Sequence, residues 1–110
     1  MDIAGVKCIM SEDSLFITIE GEVDHHTAKF IRAEIDKAIY YYRPQSAIMD
    51  LSAITFMDSS GLGLILGRYT QMVQLGGTFK LKDPTPEITK ILVLAGVDRL
   101  IPTQISTDNQ

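Results

Sequence analysis

Apolar residues in this chain recur first at every second position and then at steps of three and four, and the two patterns keep alternating. That alternation is the feature that most restricts the fold. Leu15, Ile17 and Ile19 alternate with Phe16, Thr18 and Glu20, which reads as a half-buried strand. Residues 3–10 are mostly apolar and form the strand before it, paired as a hairpin across the polar turn Ser11-Glu12-Asp13-Ser14. Gly21 is expected to end the second strand. A helix beginning at Asp24 or His25 then carries Ala28, Ile31, Ile35, Ala38, Ile39 and Tyr42 on one face, and Pro44 stops it. The short run Ala47-Ile48-Met49-Asp50-Leu51 reads as a buried strand.

A second helix begins at Ser59 or Ser60 and runs to Leu75, with Gly76-Gly77 as its left-handed stop. Its expected inward stripe is Leu62, Ile65, Leu66, Tyr69, Met72 and Val73. Thr78-Phe79-Lys80-Leu81-Lys82 is the next strand. Pro84 or Pro86 opens a third helix with Ile88, Ile91, Leu92 and Ala95 on one face, closed by Gly96. Leu100 and Ile101 can add a short edge strand. The order β-β-α-β-α-β-α predicts an α/β fold, with a mixed four- to five-stranded sheet and helices packed against it.

The 110 residues suffice for one domain with its own core, so residues 1–110 are expected to form a single unit. Ten basic residues against fourteen acidic ones give a formal charge of −4, which argues against nucleic acid or an anionic membrane as main partner. A single cysteine, Cys8, excludes an internal disulfide, and no Cys/His cluster has zinc spacing. No apolar run reaches the roughly 18 residues of a membrane span, and a start at Met1-Asp2 without a basic segment is no signal peptide. The expected setting is the cytoplasm.

The segment Asp58-Ser59-Ser60-Gly61-Leu62-Gly63 holds the chemistry. Asp58, Ser59 and Ser60 are all good helix caps. Gly61, Gly63 and Gly67 lie inside the helix, where each costs about 1 kcal/mol relative to alanine. Sheet packing can account for one or two of them, and a closely approaching partner for the rest. A serine at a helix start is also a favourable place for a phosphate, because free N–H groups and the helix dipole both attract a dianion. Asp58 and Asp24 oppose such a phosphate, which suits a surface switch.

Catalytic motifs fail on inspection. Gly61-x-Gly63-x-x-x-Gly67 is one residue too long for a dinucleotide fingerprint and lies within the helix. A nucleophile elbow would need glycine at Met57, and the two histidines, His25 and His26, precede the serine. As adjacent helix residues His25 and His26 point about 100° apart, so a polar helix start with Asp24 as cap is the simpler reading. Asp50 at a strand end, with Lys82 on a later strand, invites comparison with a receiver phosphoaspartate. The opening hairpin and the lack of an acidic pair after the first strand disagree with it. No enzyme activity is expected.

Residues 21–28, Gly-Glu-Val-Asp-His-His-Thr-Ala, together with residues 56–69 and Gly76-Gly77, resemble a STAS domain over nearly the whole chain. The likeness is strongest to the anti-sigma factor antagonists of spore-forming bacteria that act on the anti-sigma F factor, and it weakens after Ile101. It implies a STAS fold and a binding protein switched by phosphorylation. In that family the free antagonist binds an anti-sigma factor that is also a serine kinase, and so releases a sporulation sigma factor. The kinase inactivates it on the first serine after the aspartate, here Ser59, and a serine phosphatase restores it. ATP and magnesium would then belong to the kinase, and this chain needs no cofactor or metal. The other reading within the family is a regulatory scaffold module. The expected partner surface combines Gly21, Asp24, His25 and His26 with Asp58, Ser59, Ser60, Gly61, Leu64 and Arg68. Gly61, Leu64 and Arg68 fall on a stripe away from the expected inward one, so Leu64 is expected to be exposed.

Overall fold

The hairpin forms from strands β1 (Gly5–Ser11) and β2 (Ser14–Val23), antiparallel, with Ile9 opposite Phe16 and Ser11 opposite Ser14. The two serines therefore belong to the ladder. The loop is only Glu12-Asp13, with Glu12 at φ 55°. The computed structural model describes residues 4–107, so Ile3, the expected first strand residue, lies outside the described residues.

Gly21 does not end β2. It sits inside the strand at φ 94°, in a stretch where the pairing register with the next strand shifts twice. Helix α1 (Thr27–Tyr42) starts after the three polar residues Asp24, His25 and His26 and ends at Arg43, which is left-handed, just before Pro44. Ile31, Ile35 and Ile39 are its buried residues. Tyr42, expected in the core stripe, is exposed and meets Tyr41 edge-on at 4.9 Å.

Strand β3 (Ser46–Met57) is much longer than the run from Ala47 to residue 51 that was expected. It pairs parallel with β2 from Ser46 beside Ser14 as far as Met57 beside Val23. At each register shift β3 advances one residue more than β2, as bulges do. Period-two burial consequently breaks after Leu51: Ile54 and Met57 are buried, while Ser52, Ala53, Thr55 and Phe56 are exposed. Asp50 is therefore mid-strand, paired to Lys82 at 3.7 Å across the sheet, and the receiver-like position is lost.

Helix α2 (Ser59–Gln74) closes with a Schellman arrangement: Gly77 N donates to Met72 O at 2.8 Å and Gly76 N to Val73 O at 3.0 Å, with Gly76 at φ 82°. Gly77 lies so close to the β3 entrance that a Cβ there would stand 2.7 Å from Gln45 O. Strand β4 (Thr78–Lys82) pairs parallel with β3. Helix α3 (Pro86–Leu94) is capped by Thr85, whose hydroxyl accepts from Ile88 N at 3.2 Å, and ends before Gly96 at φ 76°. Ile88 and Leu92 are its buried residues, whereas Ala95 is exposed. Leu100 and Ile101 do not form the edge strand. Ile101 is fully buried as a core plug, and β5 (Thr103–Gln104) follows it, parallel to β4.

The result is a five-stranded mixed sheet in the order 1-2-3-4-5, antiparallel only between β1 and β2. One face is the core: Leu15, Ile17 and Ile19 of β2 lie beside Ala47, Met49 and Leu51 of β3 and beside Phe79 and Leu81 of β4. The parallel strands all deliver their C-terminal ends, and the loops into α1 and α2, to one edge.

Candidate functional site

Two aspartates mark that edge. Val23 and Met57 are neighbours at the ends of β2 and β3, and Asp58 N donates to Val23 O at 3.2 Å. Asp24 and Asp58 thus leave the sheet side by side. Asp24 Oδ1 accepts from His26 N at 2.9 Å and Thr27 N at 3.0 Å, satisfying N–H groups at the start of α1. Thr27 returns the favour: its hydroxyl donates to Glu22 O at 2.8 Å and accepts from Asp24 N at 3.0 Å. Asp58 caps α2 in the same way, its Oδ1 accepting from Ser60 N at 2.8 Å. His25 and His26 belong to the turn before α1, where their rings lie 4.1 Å apart at 36°. Among the described residues no group of His, Cys, Asp and Glu could hold a metal ion.

The hydrogen bond from the Thr27 amide, reinforced by the one from the His26 amide, holds the Asp24 carboxyl below the usual carboxylate range. A depressed folded-state value stabilises the fold fully above the unfolded value, near 3.9, and the effect is lost as pH falls through the folded one. Asp24→Asn keeps the acceptor oxygen and removes only the charge. Its stability deficit against the parent should be present at neutral pH and narrow below about pH 4, as urea midpoints across that range will show.

Ser59 is exposed as the first residue of α2, and its hydroxyl makes no hydrogen bond to any described residue. Ser60 is half-buried and turns toward a groove of about 430 Å³ between α1 and α2. His25, Lys29 and Arg32 line it from the α1 side, and Gly63, Leu64, Gly67 and Arg68 from α2.

Arg68 was expected at the surface and is instead 6% exposed. Its Nε donates to Gln71 Oε1 at 3.0 Å and lies 3.1 Å from Asp36 Oδ1 of α1. Burial pulls the guanidinium below its ordinary value, opposed by the Asp36 carboxylate, and an arginine so placed stays charged. Leu64 is likewise inside, 5% exposed and part of the core cluster. The buried face of α2 is Gly61, Leu64, Ile65, Arg68 and Met72, turned from the expected stripe, while Leu66 and Val73 are exposed. Leu64 and Arg68 form the floor of the groove rather than an outward surface.

The three glycines of α2 now separate. At Gly61 a Cβ would fall 2.0 Å from Met57 Cγ and 2.6 Å from its sulfur, so β3 packing requires glycine there. Gly61 is consequently buried against the sheet and offers a partner no surface. A Cβ at Gly63 or Gly67 would meet nothing within 4 Å. Gly61→Ala should destabilise by about 1–3 kcal/mol through overpacking. Gly63→Ala should stabilise by up to about 1 kcal/mol through helix propensity. Opposite shifts in the denaturant midpoint check the pair, and equal shifts would contradict it.

Of the sequence-derived site, the structure gathers Asp24, His25, His26, Asp58, Ser59 and Ser60 at one edge, with Gly21 two residues before the end of β2. Lys29, Arg32 and Asp36 lie off the apolar face of α1, and the sequence alone assigned them no part in the site. A recoverable signal was the spacing of Lys29, Arg32 and Asp36 at three and four residues, which places all three on one face.

The STAS domain model matches residues 6–109. The anti-sigma F factor antagonist of Paenibacillus polymyxa is 38% identical over 88 residues, 80% of this chain and 75% of the relative. That of Lysinibacillus sphaericus is 35% identical over 89 residues, 81% of this chain and 76% of the relative. Among solved structures, the anti-sigma factor antagonist SpoIIAA in its unphosphorylated form superposes with a TM-score of 0.81 at 30% identity, covering 94% of this chain and 90% of that one. The Bacillus cell fate determinant SpoIIAA in the phosphorylated form gives 0.74 at 30% identity, covering 94% and 93%. By sequence, sheet order and helix placement alike, the chain belongs to the STAS domain family.

Proposed function

We propose that this protein is an anti-sigma factor antagonist whose binding is switched by phosphorylation of Ser59. Unphosphorylated, it binds an anti-sigma factor that is also a serine kinase and frees the sigma factor held there. Phosphorylation by that kinase ends the binding, and a serine phosphatase restores it. The protein acts as ligand and substrate rather than as enzyme. ATP and magnesium belong to the kinase, and the exchange takes place in the cytoplasm.

The exposed Ser59 hydroxyl at the start of α2, free of hydrogen bonds among the described residues, carries this reading. A kinase must reach the oxygen, and the helix start must tolerate a dianion afterwards; the N–H groups and dipole of α2 favour both the position and the charge. The edge it occupies also holds the loop of Asp24, His25 and His26, a second exposed element that a partner can contact at the same time. The names of the relatives from Paenibacillus polymyxa and Lysinibacillus sphaericus, and the solved structures of both phosphorylation states of SpoIIAA, support the same reading. Among the described residues no helix is long and apolar enough to cross a membrane.

Incubation with the anti-sigma factor kinase of the same organism and Mg-ATP, followed by phosphopeptide mapping, is the test. The parent and Ser60→Ala should take up one phosphate on residue 59. Ser59→Ala should take up none, remain folded and stay bound to the kinase. Stoichiometric phosphate on Ser59→Ala would refute the assignment, and an acid-labile phosphate on an aspartate would refute the serine chemistry altogether.

A further inference from the structure

The groove between α1 and α2 carries a charge that the rest of the chain does not predict. The whole sequence has a formal charge of −4, yet the side chains lining the groove include Lys29, Arg32, Arg68 and His25 and no carboxylate. Asp36, which does not line the groove, lies 3.5 Å from Arg32 Nε and 3.1 Å from Arg68 Nε. Lys29 makes no ion pair among the described residues. Arg68 is almost wholly buried; its Nη1 and the neighbouring Asp36 Oδ1 both lack a hydrogen-bond partner and are closed to solvent, so that pair belongs to the packing of α1 on α2 rather than to the groove surface. The cations that reach the open groove are Lys29, which is exposed, and Arg32, whose side chain is 66% exposed, and an anionic ligand is what complements them. The space for that ligand is open, since a side-chain carbon at Gly63 or Gly67 would touch nothing.

From this cluster we infer that the groove receives an acidic side chain, aspartate or glutamate, of the anti-sigma factor. This rests on the function proposed above and names one contact within it. Guanidinium groups favour carboxylates because two parallel N–H···O bonds fit the fork. A protein-borne carboxylate, rather than a free anion, fits because the groove is continuous with the Ser59 edge: His25 and Ser60 belong to both. A partner covering Ser59 thereby lies over the groove mouth. A phosphate on Ser59 places two negative charges beside the path of that carboxylate and repels it.

Calorimetric titration of the organism's own anti-sigma factor into the parent, Lys29→Glu and Arg32→Glu proteins tests the contact, with thermal midpoints as the folding control. Arg32→Glu also loses its pair with Asp36, so Lys29→Glu, which breaks no ion pair, is the cleaner variant. Each reversal should weaken binding about tenfold or more, and the parent's affinity should fall with rising salt while the variants lose that slope. Reversing one acidic residue on the partner should restore binding to Lys29→Glu. Parent binding that is insensitive both to salt and to Lys29→Glu would overturn the inference while leaving the antagonist function standing. No binding by the parent would instead overturn that function. A dimer of the isolated chain, dissolved by Lys29→Glu in sedimentation, would show that a second copy fills the groove and would also overturn it.

Discussion

Leu64→Ala is expected to lose about 2–5 kcal/mol of stability, the range for truncating a buried leucine where the surroundings cannot collapse. The side chain is 5% exposed and packs in the same cluster as Ile65, Met72 and the β3 residues Leu51 and Met57. Collapse around the hole is hindered on two sides. The sheet is fixed by its ladders, and α2 is held by the Gly61 contact with Met57 and by the Arg68 pair with Asp36. For a domain of this size the loss lowers the thermal midpoint by roughly 10 °C or more. Leu66→Ala, two residues on and so on the opposite side of the helix, where Leu66 is exposed, should cost under about 1 kcal/mol. Equal midpoints for Leu64→Ala and the parent would place Leu64 at the surface after all. Any loss of partner binding in Leu64→Ala must be read against its unfolding, which makes it a poor probe of the interface.

Phosphorylation of Ser59 should weaken binding to the anti-sigma factor by about a hundredfold or more, with no loss of stability. The modification adds roughly −1.5 to −2 charges at pH 7 and takes the formal −4 to about −6. The new charge joins an edge that already holds two carboxylates committed to capping, Asp24 on the N–H groups of His26 and Thr27 and Asp58 on that of Ser60. Within the domain the dianion is tolerated by the start of α2. At an interface the same charge meets whatever acidic group the partner presents, and like charges brought together cost several kcal/mol, which is orders of magnitude in affinity. Titration of phosphorylated and free protein into one preparation of the partner measures the ratio. A ratio near one would leave Ser59 without a regulatory role.

Most of the fold was legible because its signals are local. The hairpin shows in the alternation from Leu15 to Ile19, the stop of α2 in Gly76-Gly77, and β4 in five residues that alternate without interruption. What escaped were features set by neighbours in space. Strand β3 runs on to Met57 because β2 pairs with it through two bulges, and bulges erase the period of two that marks a strand. The face of α2 was misjudged because Leu62, Ile65, Leu66, Tyr69, Met72 and Val73 fall on one apolar stripe, whereas the buried face is turned from it toward Gly61, Leu64 and Arg68. The choice was made by Gly61, which lets the backbone approach Met57, and by Arg68, whose charge reads as solvent-facing until Asp36 is found across the helix pair. The site was legible for a related reason. Asp24 and Asp58 announce helix starts by residue type, and their juxtaposition follows from the parallel pairing of β2 and β3.

The central claim is that the switch acts through charge at a helix start that is already built, without refolding. Amide NMR spectra of the Ser59-phosphorylated and unphosphorylated protein test it most directly. The account predicts shifts confined to residues 22–28 and 57–63 and the groove beside them, with β1, β4 and the second half of α2 unchanged. Shifts spread along α2 to Met72 and across the sheet to Leu81 would mean that the helix moves, and would contradict it.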